Sequence, residues 1–307
     1  DAMMRAQTEA QNVTGATISD SQGVGIIIDE DRSYVADFDL DHVSDFSVFR
    51  PSEGRWYVLR SATASLDIIT FGSNGDIAVP GDYDADGITD YALWRPSTGQ
   101  WFRTMSTNGS QVVTNWGIGG DKPVQGDYDG DGKTDLATFR PSTGTWWILR
   151  SSNGLGSATP FGISTDRPVQ GDYDGDAKTD IAVYRDGTWY IARSSDGAVQ
   201  IANFGISSDK PVSGDFDGDG KFDLAIYRDG VWWSLNSLTG TAVAVPWGNA
   251  TDIPVPADYD GDGTTDRAVF RPSTGDWLVL RSSNSTSFGI HWGVAGDVPV
   301  PSAYLSQ

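Results

Sequence analysis

The chain has 307 residues, enough for a sizeable core, and carries 42 acidic against 21 basic residues, a formal net charge of −21. That balance argues against a nucleic-acid partner, since scattered basic residues cannot neutralise a row of phosphates. Twelve Trp, 12 Phe and 11 Tyr exclude an acidic disordered chain, and the lack of cysteine excludes disulfides and thiolate metal sites. No run of 18 apolar residues predicts a membrane span. The opening DAMMRAQTEA lacks the apolar core of a signal peptide, so a secreted form is expected to be a mature or trimmed one.

Residues 1–34 lack the motif that organises everything after them and are read as a separate strand segment; the repeats occupy 35–307. The first repeat opens with DFDLDHVSD. It is a degenerate copy of a nine-residue motif that follows as DYDADGITD, DYDGDGKTD, DYDGDAKTD, DFDGDGKFD and DYDGDGTTD. The final aspartates, Asp45, Asp90, Asp135, Asp180, Asp223 and Asp266, are 45, 45, 45, 43 and 43 residues apart. After each loop comes a β-forming run such as DLATFR, DIAVYR or DLAIYR. A turn follows, PSEG in the first copy, PSTG in three and a shorter DG in two. The next run opens with Trp (WYVLR, WFRTM, WWILR, WYIAR, WWSLN, WLVLR). A polar Ser/Asn/Gly stretch then leads to a run ending in Phe-Gly or Trp-Gly, and a last run such as KPVQGDYD feeds the next loop.

Four short strands in each period of about 44 residues, with no sustained helical period, predict an all-β fold: a β-propeller of four-stranded blades with six motif-bearing repeats. A blade cannot bury both faces alone, so blades must stack round an axis. A small residue two positions after each loop (Ser47, Ala92, Ala137, Ala182, Ala225, Ala268) suits that close approach. At the end, VPVPSAYLSQ starts a seventh repeat and stops, with Ala303 where the sixth loop has Asp258. Six or seven blades are compatible with this: the two ends combine into a seventh blade, or the ring closes on six and the N-terminal strand pairs elsewhere.

The loops, together with Phe71-Gly72, Trp116-Gly117, Phe161-Gly162, Phe204-Gly205, Trp247-Gly248 and Trp292-Gly293, resemble the FG-GAP/VCBS repeats of integrin-α-like propellers over residues 35–307. The resemblance implies the fold and a role among adhesion, sugar binding and scaffolding. Within the N-terminal segment, NVTGATISDSQGVGIIIDED resembles the closing strand of a Calx-β domain.

Aspartates at positions one, three, five and nine of a tight loop, with a backbone carbonyl at seven, supply the hard oxygens that calcium takes. The predicted ligands are Asp37, Asp39, Asp41 and Asp45; Asp82, Asp84, Asp86 and Asp90; Asp127, Asp129, Asp131 and Asp135; Asp172, Asp174, Asp176 and Asp180; Asp215, Asp217, Asp219 and Asp223; Asp258, Asp260, Asp262 and Asp266. Position twelve falls inside a strand, as at Leu93, so these are not EF-hands. Bare carboxylates so placed would repel one another, whereas up to six Ca²⁺ would take the formal charge to −9. Position six is His42 in the first loop and Ala177 in the fourth, where a left-handed backbone disfavours a side chain; those two loops are expected to bind less tightly.

The recurrent Trp56, Trp101, Trp146, Trp189, Trp232 and Trp277 read as packing elements rather than sugar platforms. Arg50, Arg95, Arg140, Arg185, Arg228 and Arg271 read as partners of carboxylates or loop carbonyls rather than anion sites. His42 and His291 are the only histidines, and no nucleophile elbow, phosphate loop or zinc pattern occurs, so no enzyme is expected. The resulting expectation is an extracellular or cell-surface, calcium-stabilised module for adhesion, scaffolding or head-to-tail self-assembly. A lectin and a polysaccharide lyase or glycosidase are its alternatives, and the protein or glycan ligand is unidentified.

Overall fold

The structure is a computed structural model that describes residues 36–304, the last two without side chains. The chain divides into two compact units, 1–33 and 34–307, and the described residues all belong to the second. The N-terminal strand segment, its Calx-β likeness and the question of what that strand pairs with lie outside the described residues.

Among the described residues there are six four-stranded antiparallel sheets. The blade of residues 77–115 shows the plan. A two-residue inner strand, Ile77–Ala78, leads into the aspartate loop; Tyr91–Arg95, Gln100–Thr104 and Gln111–Asn115 then follow outwards. The aspartate loop and the turn between third and outer strands therefore share one end of the blade. The turn between second and third strands, and the crossing to the next blade, share the other.

Burial follows that order. Second strands read as nearly unbroken apolar runs because both faces pack against neighbouring blades; Phe49, Leu93, Trp94, Phe139, Val183 and Tyr227 are all buried. Five of the six outer strands alternate between exposed and half-buried residues. The core is six clusters between blades: Phe139, Trp146 and Ile148, for example, pack with Val183 of the next blade. The small residue after each loop is fully or almost fully buried in all six blades, as expected for close sheet approach.

The turns explain the change in spacing from 45 to 43. In the PSTG turns a glycine is left-handed, and a Cβ at Gly99 would lie 2.3 Å from the Gly117 carbonyl oxygen. The shorter turns place Asp186-Gly187 and Asp229-Gly230 at φ of 48°, 87°, 50° and 83°, the two-residue primed turn that suits twisted hairpins.

Closure corrects the seventh-blade arrangement. Val298–Pro299 pairs with Phe46–Arg50 (Val48 opposite Pro299, Phe49 opposite Val298) and is the inner strand of the first repeat's own blade. Each repeat begins at its loop, after the inner strand, so the last inner strand is left over for the first blade. Val300 is buried beside Phe49, Trp56 and Leu93, the place its counterparts Val79 and Val124 hold elsewhere. A 3-10 turn over Val300–Tyr304 follows where another loop would begin.

Candidate metal centres

In the second loop Asp82 organises the backbone: Oδ1 accepts from the N–H of Asp84 and Ala85 (3.2 and 2.7 Å), and Oδ2 from Gly87 (2.8 Å). Asp90, fully buried, accepts from the N–H of Tyr83 at Oδ2 (2.9 Å) and of Ser106 at Oδ1 (2.6 Å). Asp86 Oδ1 accepts from the Ile88 N–H (2.9 Å). The same bonds from the first and ninth aspartates recur in the other loops. Sets of three carboxylate oxygens lie within 4.8 Å of one another in Asp37/Asp39/Asp41, Asp82/Asp84/Asp86, Asp127/Asp129/Asp135, Asp172/Asp174/Asp180 and Asp215/Asp217/Asp223. These groups could hold metal ions.

A serine outside the aspartate motif completes each site. The turn between third and outer strands begins with Ser61, Ser106, Ser151, Ser194, Ser237 or Ser282. Each donates its N–H to the ninth aspartate and its hydroxyl to the fifth (Ser106 Oγ to Asp86 Oδ2, 2.8 Å). The next hydroxyl, on Thr107, Ser152, Ser195 or Ser283, donates to Oδ2 of the third aspartate. The sequence gives these serines away only by their recurrence at one place in all six repeats.

The third aspartates test whether a cation fits. Oδ1 of Asp39, Asp84, Asp129, Asp174, Asp217 and Asp260 is buried without a hydrogen-bond partner. In the first loop Ala62 replaces the second hydroxyl, and Asp39 Oδ2 is orphaned too. A buried carboxylate oxygen with no donor is costly. Six at one repeat position, each among further carboxylates, fit a hard cation with all-oxygen ligands. The electrostatics agree in direction. Burial, the largest cause, pushes Asp45 up to about 7 and Asp90, Asp135, Asp180, Asp223 and Asp266 to about 6. Burial also raises Asp82, Asp127, Asp172 and Asp258.

The loops differ in strain, in part as expected. His42 and Ala177 are left-handed at φ of 65° and 64°. Position four is left-handed as well, and there the first loop has Leu40 (62°) and the second Ala85 (64°), against glycine elsewhere. The third, fifth and sixth loops are thus free of side chains at both positions, and the second joins the strained set. Successive loops are also linked: the N–H at position eight donates to the carbonyl of the preceding loop's first aspartate. This runs from Thr89 to Asp37 (2.7 Å) through Thr134, Thr179, Phe222 and Thr265, and Ser44 to Asp258 (2.7 Å) closes the circle.

The opposite end holds a second set of aspartates that the motif did not flag. Arg95 makes a bidentate pair with Asp76 (2.7 Å at both nitrogens), and Arg140, Arg185, Arg228 and Arg271 do the same with Asp121, Asp166, Asp209 and Asp252. Arg50 pairs with Asp297, 247 residues away, across the closure. An aspartate 19 residues before each of five arginines was the missed signal. The arginines thus act as carboxylate partners, as expected. The six tryptophans are buried, each donating Nε1–H to the carbonyl of a Phe-Gly or Trp-Gly aromatic residue, so they are packing elements.

Comparison with known proteins agrees with this architecture. Residues 127–183 match the model of the FG-GAP-like repeat. No curated protein sequence matches the chain. Among solved structures, a chain of a nidogen/laminin complex is similar with a TM-score of 0.55 at 10% identity, over 80% of this chain and 93% of that one. An Agrocybe aegerita lectin, solved for its recognition of non-reducing terminal N-acetylglucosamine, gives 0.54 at 14% identity over 80% and 90%. A protein of unknown function from Desulfotomaculum acetoxidans gives 0.51 at 12% over 84% and 83%. At such identities the likeness speaks for the fold. The chain is a six-bladed all-β propeller in which the stretch from Asp127 to Val183, spanning the third and fourth aspartate loops, matches the FG-GAP-like repeat.

Proposed function

We propose that this propeller is a calcium-stabilised binding module acting outside the cell, in adhesion, scaffolding or self-assembly, and not in catalysis. The observation that supports this most is the orphaned carboxylate oxygen of the third aspartate, repeated in every loop. The carboxylates at positions one, three, five and nine would hold the ion. Calcium would cancel their mutual repulsion and tie the loop to its serine turn. Millimolar calcium outside cells keeps sites of moderate affinity filled, which favours an extracellular or cell-surface location.

Calorimetric titration of calcium into chelator-stripped protein tests the reading. Binding at several sites, with the tightest carrying glycine at positions four and six, is expected; heats no larger than dilution would overturn it. Sugar binding is the second reading, favoured by Trp233, which is 36% exposed while the six recurrent tryptophans are buried. A glycan array with and without calcium separates it from the first, and turnover of polysaccharide would move the protein to the lyases or glycosidases. Light scattering of the full chain against one lacking residues 1–30 tests self-assembly.

A further inference from the structure

The inner strands of the six blades follow one another round the axis, and their first residues divide the ring into halves. Three consecutive blades present Lys122, Arg167 and Lys210; the other three present Ile77, Ile253 and Val298. The three cations stand at the end opposite the aspartate loops. Adjacent inner strands are in reach of one another: Arg167 donates to the Asp209 carbonyl and Lys210 to that of Asp252 (3.2 Å), each in the next blade. None of the three has a carboxylate partner among the described residues, although the chain carries 42 acids. Burial lowers the pKa of Lys122, and the neighbouring Arg167 lowers it further. Three residues further along the chain, past the end of the Lys122–Pro123 strand, Gln125 is 1% exposed with both amide atoms unpartnered.

The turn that leads into each cationic strand adds an apolar element. Ile118, Ile163 and Ile206 are 53%, 46% and 48% exposed, each four residues before its cation and across a turn closed by the aspartate N–H. Two of the three strands without a cation are preceded instead by Ser73 and Asn249. Cations without a carboxylate and exposed isoleucines thus alternate along one arc. A bare phosphate would satisfy only the charges and leave the isoleucines in water. A uronic-acid chain is acidic but presents little aliphatic surface to them.

We propose that this arc is the docking site for an acidic peptide segment of a partner protein, in which carboxylates alternate with aliphatic side chains. The carboxylates would meet Lys122, Arg167 and Lys210, and the aliphatic groups would cover Ile118, Ile163 and Ile206. The proposal deepens the reading of the chain as a binding module by naming the surface and the class of partner.

The test is fluorescence anisotropy, in saturating calcium, with a labelled synthetic peptide of alternating aspartate and isoleucine. It should bind the full chain, and binding should weaken as salt is raised. The triple variant Lys122→Gln/Arg167→Gln/Lys210→Gln should lose affinity by roughly tenfold or more. Ile118→Ser/Ile163→Ser/Ile206→Ser should weaken it too, as should replacing the peptide's isoleucines by serine. The calcium-dependent melting shift of both variants, read alongside, shows that they fold and keeps this surface separate from the metal reading. A peptide that fails to bind, or that binds both variants as it binds the parent, overturns the proposal. Equal binding by a galacturonate oligomer or by inorganic phosphate overturns the peptide class. Peptide binding that survives in a protein without any calcium shift would support the surface while removing the calcium reading.

Discussion

The two ends of this propeller use the same side chain in opposite ways. At one end each blade buries Asp76, Asp121, Asp166, Asp209, Asp252 or Asp297 against an arginine that takes both its oxygens. At the other, four aspartates per loop face one another among serine hydroxyls and backbone N–H groups, and one oxygen of each third aspartate is left over. Burial raises the ninth aspartates to about 6 or 7, whereas at the arginine end the carboxylate holds the guanidinium above its usual range. The difference teaches that a buried acid can be completed from within its own blade, as by these arginines, or left with an oxygen that a cation could take. The first end is completed by protein groups alone; the other could take up a cation.

The largest effect should come from removing that ion. A ligand at a hundred times its Kd stabilises by about 2.7 kcal/mol per site, so stripping several sites should lower Tm by roughly 10 °C or more. Melting curves that superimpose in calcium and in excess chelator would break the comparison. Next in size is the arginine end. Arg140→Met leaves Asp121 buried and uncompensated, at a cost of about 3 kcal/mol, the low end for such pairs because the guanidinium is partly exposed. The loss should be the same in calcium and in chelator, and Arg140→Lys should not restore it, since an ammonium cannot make the two-pronged contact. Urea titrations in both media check this, and a calcium-dependent cost would show that the ends are not independent.

Smaller effects sharpen the differences among loops. In calcium, Asp135→Ala should cost more than Asp180→Ala by about 1 kcal/mol, because the fourth loop already carries strain at Ala177. Ala177→Gly and Ala85→Gly should each gain a few tenths to about 1 kcal/mol, the relief of a left-handed side chain less the entropy of the added glycine. Melting in saturating calcium reads both, and a loss on Ala177→Gly would remove strain as the cause. The smallest concerns the rim. Trp116 donates Nε1–H to the Trp147 carbonyl of the next blade (3.0 Å), which phenylalanine, its counterpart in three blades, cannot do. Trp116→Phe should cost about 1 kcal/mol in urea titration, the size of one hydrogen bond.

Much of the site was legible because every blade repeats it. The nine-residue loop shows its four aspartates directly, and the glycine at position six shows the left-handed turn that His42 and Ala177 violate. Position four was less legible: glycine stands there in four loops, but Leu40 and Ala85 disguise the requirement. The serine turn and the second set of aspartates were visible as recurrences only. Nothing local says that Ser151 reaches Asp131, or that Arg140 reaches back to Asp121, until the strands pair.

By itself the sequence determined the blade: strand count, loop chemistry and the small residue at the sheet contact, all set by local periodicity and residue type. It left the number of blades open, because the first repeat lacks an inner strand and the last has one to spare. Only the tertiary structure decided that Val298–Pro299 fills the first blade's edge and that Asp297 meets Arg50 across 247 residues. Ring closure depends on the angle at which whole blades pack, a sum over six interfaces that no single repeat encodes. The same closure brings Lys122, Arg167 and Lys210 onto one arc, a grouping that 43- to 45-residue spacings in the chain conceal.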